Sequence, residues 1–155
     1  MAPPRRNKNG SIGHVRASFD RQTIMKLIGA RLTSVRRGRA QIELPYRADL
    51  VQQDGYLHAG VVTTIADSAG GYAAHSLLEP TAGVLTVEYK LHFLEPARGD
   101  RFVATGRVVK SGRTLSTCEL EVVAVQGRRR VRCAWGTQTI FNVRRPPATT
   151  SPQRS

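Results

Sequence analysis

One carboxylate, Asp67, stands in the most apolar stretch of the chain, Ala59-Gly-Val-Val-Thr-Thr-Ile-Ala-Asp-Ser-Ala-Gly-Gly-Tyr-Ala-Ala74, which holds no cation. A carboxylate is costly to bury without a partner, so this position calls for a reason. The stretch is entered through Asp54-Gly-Tyr-Leu-His58, a turn-like run that sets an imidazole at its threshold. Carboxylate and imidazole are the residue types of acid–base and nucleophilic chemistry. The competing structural reading has Asp67 satisfied by the hydroxyls of Thr63, Thr64 or Ser68, and His58 serving as a helix cap or packing residue.

The elements that must position these groups follow from periodicity. From His58 to about Ser76 the apolar run is too long for a strand and reads as a central, nearly enclosed helix. Its small residues, Ala66, Ala69, Gly70, Gly71, Ala73 and Ala74, allow a neighbouring backbone to come close, at some cost in helix propensity. Upstream, Phe19–Ile28 predicts a short amphipathic helix with Asp20 as N-cap, Ile24, Leu27 and Ile28 on its apolar side, and Gly29 as its stop. Residues 31–37 and 39–46 predict a hairpin turning at Gly38. After Glu79-Pro80 the period becomes two: Leu85, Val87, Tyr89, Leu91 and Phe93 alternate with Thr86, Glu88, Lys90 and His92. Further strands are predicted near 101–110, 114–126 and 130–143. A buried helix with an antiparallel sheet large enough to curl round it is an α+β fold.

Length and charge set the outer limits. A chain of 155 residues predicts one domain with a core that needs no disulfide or metal staple. Cys118 and Cys133 lie in strand-like runs without metal-ligand spacing, which fits a reduced, cytoplasmic protein, and no metal site is expected. No apolar run is long enough to span a membrane, and no secretory leader is visible. The net charge of +13 resembles a nucleic-acid footprint until it is mapped. Residues 1–16 and 128–155 carry basic side chains and no acid, whereas the intervening segment is nearly balanced. We therefore divide the chain into a basic N-terminal tail (1–16), a folded domain (17–143) and a basic C-terminal tail (144–155), and expect no specific nucleic-acid partner. Arg128-Arg-Arg130 reads as a solvated hairpin tip.

Gln52-Gln-Asp-Gly55-Tyr-Leu-His58-Ala-Gly60, followed by Ile65-Ala-Asp67, resembles the signature of hotdog-fold acyl-CoA thioesterases of the phenylacetate-pathway type. That pattern runs roughly Asn-x-x-Gly-x-x-His-Gly-Gly, with an acid nine positions after the histidine. The spacing is kept here, and Gly83 to Asp100 is similar to the strand and Gly-Asp turn that follow the helix in that family. Two positions depart from the pattern. Ala59 replaces the first glycine, although it retains the N–H provided its φ is not positive. Gln52 replaces the usual asparagine. The resemblance implies a hotdog fold over residues 18–143 and hydrolysis of an acyl- or aryl-acyl-CoA thioester, with coenzyme A as part of the substrate and no separate cofactor. It implies Asp67 as nucleophile or general base, the Ala59 and Gly60 N–H groups as oxyanion donors, Gln52 holding water or thioester, His58 fixing the helix entry, and Thr86 beside the carboxylate. A non-catalytic acyl-CoA-binding module is the alternative.

Helix geometry adds a constraint. Ala59 and Asp67 are eight residues apart, about 12 Å along a helix axis, too far for both to touch one reacting group. A site shared across a two-fold dimer resolves this, and pairing of dimers into a tetramer is expected. Arg107, Lys110 and Arg113, near a strand end, are candidates for the phosphates of coenzyme A, against the plainer reading of a solvated edge. Phe19, Met25 and Ile28 suit either an acyl pocket or core packing. His14, His75 and His92 have no visible partner and are assigned no role.

Overall fold

The computed structural model describes residues 12–144. Six strands form one antiparallel sheet in the order β1-β2-β4-β5-β6-β3: β1 Arg31–Arg36, β2 Arg39–Pro45, β3 Gly83–Phe93, β4 Arg101–Ser111, β5 Leu115–Gln126 and β6 Arg129–Val143. Alternation along β2 and β4 sends Ala40, Ile42, Leu44, Phe102 and Ala104 to one face, all essentially inaccessible to solvent. On that face lies α3, Ala59–His75, in contact with all six strands. Gly106 shows why small residues are needed there. A Cβ at this position would lie 2.3 Å from the Ala69 carbonyl oxygen, so the helix backbone rests directly on the strand.

Two helices precede the sheet where the sequence predicts one. The first, α1, spans Gly13–Asp20 and α2 spans Thr23–Ile28. Asp20, expected as an N-cap, is the last residue of α1. Residues 13–16, assigned above to the basic tail, form the first turn of α1, and Val15 is completely buried. One apolar side chain among Gly13, His14 and Arg16 is too sparse a signal for composition to register. The other tail residues, 1–11 and 145–155, lie outside the described residues. In α2 the buried pair is Met25 and Ile28, while Ile24 and Leu27 are exposed. Gly29 closes that helix at φ +79°, its N–H on Lys26 O and the Ala30 N–H on Met25 O, a Schellman closure.

The even alternation expected along β3 is broken. Its pairing with β6 slips between Thr86 and Glu88, leaving Val87 as an unpaired extra residue. Upstream, Thr86 stands opposite Ile140; downstream, Tyr89 stands opposite Gln138 and Leu91 opposite Gly136. Ile140, Gln138 and Gly136 share the helix-facing side of β6, so Thr86 faces α3 together with Tyr89 and Leu91, and Leu85 faces away.

Candidate active site

Most of α3 is buried, but Gly60, Thr63, Thr64 and Asp67 follow one another at helical spacing along a strip that remains accessible. The hydroxyls nearest Asp67 in sequence do not serve it. Thr63 Oγ1 donates to Ala59 O at 2.9 Å, Thr64 Oγ1 to Gly60 O at 2.8 Å, and Ser68 Oγ to Gln22 Oε1 at 3.3 Å. The carboxylate is instead held from the sheet: Thr86 Oγ1 donates to Asp67 Oδ1 at 2.6 Å, and Gln138 Nε2 donates to the same oxygen at 2.6 Å. Gln138 Nε2 also lies 3.2 Å from Asp67 O and 3.1 Å from Thr86 Oγ1, closing a ring of three side chains. Asp67 Oδ2 has no partner among the described residues.

Gln138 was not anticipated. The signal was a glutamine in phase with the buried Ile140 of β6, an inward polar position with no obvious partner in the sequence. Its side chain is 1% exposed, and its Oε1 has no hydrogen-bond partner. A Cβ on Gly70 would stand 1.9 Å from that oxygen, so the absence of a side chain at Gly70 makes room for the amide. An unsatisfied buried carbonyl costs on the order of 1–3 kcal/mol, and here that cost accompanies the fixing of Asp67.

At the other end of the accessible strip, His58 caps α3. Its Nδ1 accepts the Gly60 N–H at 2.9 Å, and its carbonyl accepts the Val61 and Val62 N–H groups. The Gly60 N–H is thus engaged within the chain, while the Ala59 N–H has no partner among the described residues. Ala59 does not have positive φ, so alanine is accommodated without strain. Gln52 sits in the loop before the helix, which a Val51–Leu57 bridge closes and Gly55 turns at φ +81°. Its Oε1 accepts the Asp54 N–H, and its Nε2 lies 3.4 Å from Asp54 Oδ2. The chain therefore brings Asp67, Thr86 and Gln138 together in one cluster and His58, Ala59 and Gly60 in another at the start of α3, while the Gln52 side chain is engaged with Asp54 in the preceding loop.

Asp67 lies where two depressions meet. A groove of about 290 Å³ runs past Gly60, Thr63, Thr64, Tyr89, Gln22 and Ile24, and a cleft of about 650 Å³ extends the other way between α1, α3 and the start of β3. Arg107, Lys110 and Arg113 line neither. Arg107 is on the sheet face opposite α3, with its Nη2 2.5 Å from Glu119 Oε2; Lys110 and Arg113 are exposed at the β4–β5 end. Phe19, Met25 and Ile28 pack into the core. His92 stacks on Trp135, and His75 is buried with Nε2 3.1 Å from Ala82 O. Among the described residues no cluster of His, Cys, Asp and Glu could hold a metal.

Residues 54–131 match the family model described as the thioesterase superfamily. A solved thioesterase family protein from Silicibacter pomeroyi is 45% identical at a TM-score of 0.85, covering 86% of this chain and 98% of that one. The chain belongs to the thioesterase superfamily. Consistent with that, it is 31% identical to a candidate esterase of Saccharolobus solfataricus over 68% of this chain and 74% of the relative. It is also 27% identical to the Escherichia coli acyl-coenzyme A thioesterase PaaI over 71% of this chain and 77% of that protein. The solved E. coli PaaI superposes at a TM-score of 0.79 with 20% identity, covering 88% of this chain and 96% of that one. The fold is the hotdog fold, and this thioesterase is a thioester hydrolase. The family match takes in Asp67 and Thr86, but Gln52 and Gln138 lie beyond its ends.

Proposed function

We propose that this thioesterase hydrolyses an acyl- or aryl-acyl-CoA to the free acid and coenzyme A, with Asp67 acting on the thioester carbonyl. The observation that carries this reading is the Asp67 carboxylate itself, tied through Oδ1 to Thr86 and Gln138 and free at Oδ2 at the meeting of two depressions. Water adds to the carbonyl carbon, the C–S bond breaks, and the thiolate leaves with a proton. Asp67 serves either as the base that takes the proton from water or as the nucleophile whose acyl adduct water then opens. As the carbonyl oxygen gains charge, the Ala59 N–H at the positive end of α3 is the donor left open to it, with Gln52 beside that end to orient water or thioester. The Gly60 N–H joins only if His58 Nδ1 releases it.

In one chain these donors and Asp67 are about 12 Å apart along the helix, so the working site joins the Asp67 cluster of one copy to the helix start of another. Support comes from unburied apolar residues beside the accessible strip: Ile24 and Tyr89 are 43% and 48% exposed, and both line the groove that runs from Gly60 to Asp67. For the coenzyme A phosphates, Lys110 and Arg113 remain the candidates, since Arg107 is paired with Glu119. Thiol release from a panel of acyl-CoA esters, measured on the wild type and Asp67→Asn, tests the assignment. Loss of turnover with retained acyl-CoA binding is expected; equal hydrolysis by both proteins would remove Asp67 from the mechanism.

A further inference from the structure

The two faces of α1 border different hollows. His14, Ala17, Ser18 and Arg21 line the 650 Å³ cleft beside Asp67, whereas Arg16, Phe19 and Asp20, on the opposite side of the helix, line a depression of about 350 Å³. Lys26 of α2, Ala30 behind it, and Arg31 and Leu32 at the start of β1 complete the lining. β1 is the edge of the sheet away from β3, and this depression shares no lining residue with the two that meet at Asp67. The mechanism above makes no use of it.

The floor is apolar and the rim is charged. Phe19 and Ala30 are each 8% exposed, and Leu32 packs against the core. Around them stand Arg16, Lys26 and Arg31 against a single acid, Asp20, all four exposed. Arg47, Arg101, Arg107 and Arg132 each find a carboxylate, but none of the four charged side chains on this rim has an ion-pair partner among the described residues. The Arg16 guanidinium donates once, from Nη1 to Leu32 O at 3.3 Å. Three cations from three different elements thus surround an apolar floor with one acid among them, an arrangement that favours an anion with a hydrocarbon body.

We propose that this depression is a second ligand site, which takes an amphipathic carboxylate: an aliphatic or aryl acid whose body lies on Phe19 and Leu32 and whose carboxylate is held by Arg16, Lys26 and Arg31. The acid that thioester hydrolysis releases belongs to this class. Bound there, the carboxylate joins α1, α2 and β1. That matters for the cleft because α1 buries Val15 and Phe19 alone, and Phe19 packs edge to face on Tyr72 of the cleft with ring centroids 5.6 Å apart. A ligand behind α1 therefore steadies the helix that walls the cleft in front of it.

The site stands apart from the reading of the reaction, and its test contains no thioester. Octanoate, octan-1-ol and inorganic phosphate are titrated calorimetrically into the full chain, and amide hydrogen exchange locates the octanoate. Octanoate is expected to bind about tenfold tighter than either the alcohol, which lacks the charge, or phosphate, which lacks the apolar body. It should slow exchange in residues 13–20 and 31–36. Arg16→Met combined with Lys26→Met, both at exposed positions, should weaken octanoate about tenfold while the ligand-free melting temperature stays close to that of the wild type. Asp20→Asn should instead tighten it about threefold, and a merely structural role for these charges would not move affinity in opposite directions. Equal affinity for octanoate and octan-1-ol, an affinity unmoved in the double variant, or protection confined to residues 67–75 and 80–84 of the cleft overturns the proposal. Failure of the chain to release coenzyme A from any ester would sink the reading of the reaction and leave this binding as it is.

Discussion

Asp67 depends for its orientation on two side chains that do different things. Thr86 donates one hydroxyl proton at 2.6 Å, whereas Gln138 reaches the carboxylate, the Asp67 carbonyl and Thr86 through one amide nitrogen. Thr86→Val keeps shape and removes the donor, so kcat should drop by roughly 10- to 100-fold with little change in KM, and Thr86→Ser should restore most of it. If steady-state kinetics show valine and serine performing alike, the hydroxyl does not position the carboxylate. Gln138→Leu removes a donor and also an unpaired oxygen, so it should cost activity while leaving the unfolding midpoint nearly unmoved. The two cysteines lie at the opposite extreme of reactivity. Burial pushes Cys118 up to about 12 and Cys133 to about 11, and no disulfide is present. Neither should be alkylated by iodoacetamide at neutral pH until the protein is unfolded, which mass spectrometry of native and denatured samples can decide.

Adjacent glycines of α3 show how an element can carry opposite demands. Substituting alanine at either position improves helix propensity by up to about 1 kcal/mol. At Gly71 the new methyl meets only ordinary contact, so Gly71→Ala should raise the denaturation midpoint. At Gly70 it would lie 1.9 Å from Gln138 Oε1 and 2.6 Å from Leu120 Cδ2, so Gly70→Ala should be destabilising by about 1–3 kcal/mol and displace the amide that holds Asp67. Equal midpoints for the two variants would contradict this. The element order, the long helix and the strand positions were legible in the sequence because period and turn residues agreed, as at Gly38 and Gly55. Beyond the unforeseen α1, three features were not. The bulge at Val87 is a slip of register, which alternation read from one strand does not reveal, and it decides that Tyr89 rather than Val87 faces the helix side. The burial of Met25 in place of Ile24 and Leu27 depends on which side of a six-residue helix meets the core. Gln138 lies 71 residues from Asp67 in sequence, and only the sheet order brings it there.

At the scale of the molecule the two clusters predict complementation. If the site is shared as proposed, Asp67→Asn and Gln52→Ala each damage a different half of it. Mixing them after dissociation makes half the dimers hybrid, each with one intact site, so about a quarter of wild-type activity should return. Absence of recovery in hybrids verified by native mass spectrometry would place the site within one chain. Acid stability is also a property of the whole fold. His75 has its pKa lowered on folding, chiefly by burial, so below about 6.5 the unfolded chain binds the extra proton. Its contribution is complete above that value and is lost as pH falls through the lowered folded value. The melting temperature of the wild type should therefore fall over that window more steeply than that of His75→Asn.

Strand order has a further consequence, for synthesis. β3 pairs with β6 alone, although β4 and β5 separate them along the chain. On the ribosome, residues 83–93 emerge long before 129–143, and their one partner in the sheet does not yet exist. Until β6 is complete, Asp67 has a helix but neither Thr86 nor Gln138 beside it. A nascent or truncated chain that ends before β6 therefore presents an apolar strand with no lattice to join and an unanchored carboxylate, and the ring that holds Asp67 is completed only with the last strand made.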